Sequence, residues 1–127
     1  MINYLDLFGN NGIFNKPYVI EKLTIKSIFH VGQNLSMDEV IDLFKHICSN
    51  ANKGGYYVGI TCAPKRREGE HEAAFLAVIK CQSVDDANNL ERELSKIGFD
   101  AGKHVGNVHN EDSTKVYIYK KTDSTTE

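Results

Sequence analysis

The sequence predicts a single small α/β domain, with a mainly antiparallel sheet and two main helices. Three observations carry that prediction. Short runs rich in β-branched and aromatic residues alternate with two amphipathic stretches, and glycine, asparagine and polar clusters separate them. Each amphipathic stretch opens on Ser-x-Asp and a second acid, at Ser36-Met37-Asp38-Glu39 and at Ser83-Val84-Asp85-Asp86. The order strand, serine-opened helix, strand then occurs twice, over 27–61 and again over 75–119. At 127 residues, 41% of them apolar and 25% charged, the chain has the size and composition of one domain with one core.

Residues 1–17 are turn-rich. Gly9-Asn10-Asn11-Gly12 stands between Leu7-Phe8 and Ile13-Phe14, the pattern of an N-terminal arm or hairpin. Pro17 leads into Tyr18–Val31, which suits one long strand or two with a bend. Ser36 and Glu39 are spaced as a capping box, each serving the other's orphan backbone N–H. Behind them Met37, Val40, Ile41, Phe44 and Ile47 share one helical face, and the helix should stop near Asn50–Gly55. Tyr56–Thr61 reads as a short strand, and Cys62–Glu72 is polar and charged, with Pro64 opening a turn or a helix. Phe75–Cys81 has the length of a buried strand. Val84, Ala87, Leu90, Leu94 and Ile97 line the second helix, which Gly98 ends. A polar loop from Lys103 to Thr114 precedes Val116–Tyr119, an alternating last strand. Thr122–Glu127 is expected to be a disordered tail, which leaves 18–121 as the domain. Two β-α-β units in series would give a ferredoxin-like β-α-β-β-α-β sandwich.

Composition narrows the function classes. A net charge of −2 and a pI near 6.2 argue against a protein that grips duplex DNA through many phosphates, but leave room for a local basic patch. No apolar run approaches the roughly 20 residues of a membrane span, and Met1-Ile-Asn-Tyr-Leu-Asp lacks the start of a signal peptide. Cys48, Cys62 and Cys81 are odd in number and never paired as C-x-x-C, which points to free thiols in a reducing, cytoplasmic compartment and to no structural zinc. His104, His109 and Asn107 share a loop without zinc-ligand spacing.

Chemistry concentrates in the run Tyr56-Tyr57-Val58-Gly59-Ile60-Thr61-Cys62-Ala63-Pro64-Lys65-Arg66-Arg67-Glu68-Gly69-Glu70-His71. A strand with a glycine near its end turns sharply, a proline follows, and then a basic cluster. Arg66 and Arg67 offer fork geometry to a phosphate, with Lys65 as a nearby point charge. Tyrosine and histidine in the same run can accept or relay a proton.

This run resembles the active-site half of a GIY-YIG nuclease. Tyr57-Val58-Gly59 is similar to that family's second signature tripeptide, Arg67 follows ten residues after the tyrosine, and His71 comes four residues later. Downstream, Ala87-Asn88-Asn89-Leu90-Glu91 looks like the helical context of the family's metal-binding glutamate, and Asn107 is a loose match to a later asparagine. The resemblance covers Tyr56 to Glu91, and the first Gly-Ile-Tyr element is not found. The position expected for it, eleven residues before Tyr57, holds His46 within a predicted helix. Either the first strand is displaced to Ile25–Val31, or Tyr56 substitutes for its tyrosine, or that tyrosine is gone.

The resemblance implies metal-dependent hydrolysis of a nucleic-acid phosphodiester, DNA ahead of RNA, by an active or degenerate Mg²⁺ (or Mn²⁺) endonuclease. Tyr57, Arg67 and His71 would be catalytic: Arg67 facing the phosphate, Tyr57 or His71 helping to deprotonate water. Glu91 would hold the metal, and Tyr56, Lys65, Arg66 and Asn107 would contact substrate. The alternative is a non-catalytic ferredoxin-like module that binds a protein partner or forms a homodimer through its sheet.

Overall fold

The structure, a computed structural model, describes residues 16–25, 28–49 and 52–127. In chain order the elements are β1 (Tyr18–Leu23), β2 (Asn34–Leu35), α1 (Met37–Cys48), a 3₁₀ turn (Lys53–Gly55), β3 (Tyr56–Thr61), α2 (Pro64–His71), β4 (Ala77–Cys81), α3 (Val84–Lys96) and β5 (Lys115–Lys120). The strands form one open sheet in the order β2-β1-β4-β5-β3, with every neighbouring pair antiparallel. The chain is therefore an α+β domain on an antiparallel sheet.

Local signals place both long helices. The Ser36 hydroxyl accepts from Glu39 N–H at 3.2 Å, while the Glu39 carboxylate accepts from Ser36 N–H at 2.9 Å, so the capping box forms. Ser83 caps α3 by accepting from Asp86 N–H at 3.1 Å, and Gly98, at φ 117°, follows its end. Val40, Leu43, Phe44 and Ile47 of α1, with Ala87, Leu90 and Leu94 of α3, are buried in the main core.

Strand order departs from two successive β-α-β units. The strands flanking α3, β4 and β5, are antiparallel neighbours, and those flanking α1, β2 and β3, lie at opposite edges of the sheet. The cause is the segment after α3. It does not pass directly into a strand but bridges β3 in parallel at Tyr57 and Asp100, with Val58 N–H donating to Asp100 O at 2.8 Å. Running back along that edge, it lets β5 enter between β4 and β3 in the opposite sense to both. It also pairs backbone groups that an edge strand would otherwise expose.

Two further expectations change. The strand predicted over Tyr18–Val31 stops at Leu23: its register shifts between Ile20 and Lys22, and the chain then turns through Gly32, at φ 89°. The predicted disordered tail is docked. Thr122 N–H donates to Thr125 Oγ1 at 3.0 Å, closing a turn, and Thr126 N–H then donates to His71 O at 2.6 Å. The predicted arm at 1–17 falls, up to residue 15, outside the described residues.

The pleat gives the sheet two unlike faces. Val58, Ala77, Ile79, Val116 and Ile118 point to α1 and α3. Alternate residues Tyr57, Val78, Tyr117 and Tyr119 point the other way and pack with Phe75. Among the described residues, no helix is long and apolar enough to cross a membrane.

Candidate active site

The site begins at a cross-strand pair. Gly59 of β3 lies opposite Tyr117 of β5, and Tyr57 lies opposite Tyr119. The Tyr117 ring crosses over Gly59, where an added Cβ would sit 2.5 Å from the tyrosine Cζ. Only glycine leaves that path open, which gives the Tyr-Val-Gly glycine a physical reason here. Phe75 stacks on the other side of Tyr117 with centroids 4.1 Å apart, and Tyr57 stacks on Tyr119 at 5.3 Å.

The helix α2 delivers the next two groups. Pro64 starts it, and its anchors are tertiary: the Glu68 carboxylate pairs with Lys22 at 2.8 Å and accepts from Phe75 N–H at 2.7 Å. Arg67 and His71 are one turn apart, so they share a face. His71, 1% exposed, is surrounded by partners. Its Nε2 lies 2.9 Å from Arg67 Nη2 and 2.7 Å from Tyr117 Oη, and its Nδ1 lies 2.6 Å from Thr126 O and 3.1 Å from Tyr119 Oη. Arginine only donates and a carbonyl only accepts, so the proton sits on Nδ1 and Nε2 carries the lone pair. Burial, with the Arg67 charge beside it, holds the imidazole below its ordinary pKa and keeps it neutral. Burial also lifts the Tyr57 phenol to about 12 and raises that of Tyr117, which Arg67 partly offsets.

Glu91 comes from α3. It is 5% exposed, and its carboxylate accepts from Gly106 N–H at 2.8 Å. Desolvation raises its pKa against the pull of that hydrogen bond. Asn88, one turn earlier, donates to Val108 O at 2.8 Å and accepts from Val108 N–H at 3.1 Å. Together the two side chains pin the loop after Asp100 over α3. A cleft of about 170 Å³ remains between loop, sheet and α2, lined by Tyr57, Arg67, Glu91, Lys103, His104 and Tyr117 among others.

Tyr57, Arg67 and Glu91 thus reach one cleft, and His71 stands directly behind Arg67 and Tyr117. Four expected substrate contacts do not line it. Tyr56 is buried in the main core, because the pleat sends it to the face opposite Tyr57. Lys65 and Arg66 are exposed on α2, with Arg66 paired to Glu70 at 3.6 Å. Asn107 is exposed beyond the rim, while its loop neighbours Lys103, His104 and Val108 line the wall. No strand, displaced or otherwise, occurs among the described residues of 25–31, and residues 26–27 lie outside them.

Tyr117 and Lys103 were missed. The alternation Val116-Tyr117-Ile118-Tyr119 announces two tyrosines on one face, but their pairing with Gly59 is non-local and leaves no local mark. The chain matches no protein-family model, no curated protein and no solved structure.

Among the described residues there is no cluster of three or more His, Cys, Asp or Glu able to hold a metal. The cleft presents one buried carboxylate and no thiolate. That donor set fits a hard cation such as Mg²⁺, which commonly takes one or two carboxylates and fills its shell with water and phosphate oxygens. A cation would also relieve the burial cost that raises the Glu91 pKa.

Proposed function

We propose that the chain is a GIY-YIG-like, metal-dependent phosphodiester hydrolase acting on nucleic acid, DNA in preference to RNA. The observation that carries this reading is the meeting of Tyr57, Arg67, Glu91 and Tyr117 in one cleft, with neutral His71 bonded to Tyr117. In this reading Tyr117 supplies the tyrosine that the resemblance expects from a first Gly-Ile-Tyr strand. It lies on the strand next to Tyr57, reached from the other end of the sequence.

Each group then has a task that its environment suits. Arg67 donates to the phosphate and neutralises charge growing on it. As water attacks phosphorus, its proton passes to Tyr117 Oη, and the Tyr117 proton passes to His71 Nε2 over the existing 2.7 Å bond. The phosphorus–oxygen bond to the departing strand breaks, and that oxygen takes a proton from solvent. Glu91 would hold Mg²⁺, which when bound offsets negative charge on the departing oxygen. Lys103 and His104 stand at the rim where flanking phosphates would lie. We place this activity in a reducing, cytoplasmic compartment, a reading that the three free thiols support.

The test is cleavage of single-stranded, duplex and branched DNA and RNA with Mg²⁺ or Mn²⁺, using the full chain and Glu91→Gln. Glutamine keeps an acceptor for Gly106 N–H but loses the charge. Cleavage should fall by at least about 100-fold while thermal stability holds or rises, since a desolvated charge is removed. Absence of cleavage by the unaltered protein on every substrate would overturn the proposal.

One observation favours a second reading, the non-catalytic module with a protein partner or a second copy of itself. Glu91 and Asn88 already anchor the loop, a sufficient structural reason for both. On that reading Glu91→Gln changes neither partner binding nor any activity.

A further inference from the structure

The C-terminal segment sits on the one histidine behind the cleft. Its backbone grips that residue twice: Thr126 N–H donates to His71 O, and the Thr126 carbonyl accepts from His71 Nδ1–H, each at 2.6 Å. The segment is itself fastened, by the Thr122–Thr125 turn and by Lys121, which pairs with Asp100 at 2.8 Å and Glu127 at 3.5 Å.

Two contacts fix the ring's tautomer in the free protein. Arg67 requires Nε2 to be unprotonated, and Thr126 requires a proton on Nδ1. The other neighbours leave it undecided, because the hydroxyls of Tyr117 and Tyr119 can each donate or accept. Glu70 pairs with Arg67, and Tyr57 packs on the ring without a fixed donor role. Under the proposed function, Arg67 turns to the substrate phosphate and ceases to hold Nε2. The tautomer then depends on the Thr126 carbonyl alone.

We infer that residues 122–127 are a positioning strap, whose Thr126 carbonyl holds the His71 proton on Nδ1 so that Nε2 stays open to receive the Tyr117 proton during hydrolysis. Thr126 touches no substrate; it acts through His71. Without the strap, Tyr119 can donate to Nδ1 and Nε2 can carry the proton. In that state Nε2 donates to Tyr117 instead of accepting from it, and the relay is blocked. The inference rests on the hydrolase reading for its role in catalysis, and on the His71 contacts for its geometry.

The experiment compares the full chain with two variants, one ending at Asp123 and one ending at Thr125, each of which removes the Thr126 carbonyl that accepts from His71 Nδ1–H. Nitrogen-15 NMR of the histidine ring is recorded for each with and without inorganic phosphate as the Arg67 probe, and cleavage is measured in parallel. The unaltered chain should show Nδ1–H in both conditions. The variants should shift toward Nε2–H when phosphate is added, and cleave at least about tenfold more slowly. An Nε2–H ring in the unaltered chain, or variants whose tautomer stays unchanged under phosphate, would overturn the strap. So would a changed tautomer with full cleavage. If the unaltered chain cuts nothing, the hydrolase reading falls by itself, while the ring spectra still decide whether the strap sets the tautomer.

Discussion

The two faces of the sheet use the same strands for different ends. Toward α1 and α3, β3, β4 and β5 present Val58, Ile79, Val116 and Ile118, an aliphatic layer sealed by two amphipathic helices. Toward α2 they present Tyr57, Val78, Tyr117 and Tyr119, an aromatic layer whose hydroxyls meet an imidazole and a guanidinium. Adjacent residues such as Tyr56 and Tyr57 fall on opposite sides of this division. The first face stabilises by removing apolar area from water, and the second holds polar groups in fixed relation at some cost to stability. A substitution's consequence should therefore depend on the parity of its position more than on its residue type.

The largest effect on stability is expected on the aliphatic face. Leu94, fully buried on α3, should cost about 2–5 kcal/mol when replaced by alanine, read from urea unfolding. Gly59→Ala tests whether the division is clean, since the new methyl would meet the Tyr117 ring across the aromatic face. It should cost about 1–3 kcal/mol and also lower cleavage by displacing Tyr117. An unchanged urea midpoint would show that the ring can move aside freely.

The smallest effect is a pH dependence confined to the aromatic face. His71 is held below its ordinary pKa, so the unfolded chain binds its proton more readily than the folded one. Its contribution is fully present above about pH 6.5 and is lost as pH falls from there through the lower folded value. Urea midpoints should drop across that window for the unaltered chain and less for His71→Gln. Equal slopes would remove His71 from the account of acid sensitivity.

What the sequence disclosed was local. Ser36 with Glu39, Ser83 with Asp86, and Gly98 are signals within one helical turn, and all three act as read. The alternation over Val116–Tyr119 was equally legible, its aliphatic and aromatic residues falling in separate clusters. Strand order was not, because it depends on the segment after α3 running back along β3, and no residue in it announces that path. Among the site residues, Tyr57, Arg67, His71 and Glu91 were visible as an ordered spacing. Tyr117 was hidden because its partner Gly59 is distant in sequence. The tail's polar composition suggested disorder, yet its backbone pairs with His71 through contacts that composition cannot express.

The central claim is that the Tyr117 hydroxyl, on the last strand, acts with His71 in phosphodiester hydrolysis. Single-turnover cleavage by Tyr117→Phe, set beside Tyr56→Phe as a control on the opposite face, tests it most directly. The account predicts that Tyr117→Phe slows cleavage by about 100-fold or more, while Tyr56→Phe stays near the unaltered rate. A Tyr117→Phe protein that cleaves as fast as the unaltered chain would contradict it.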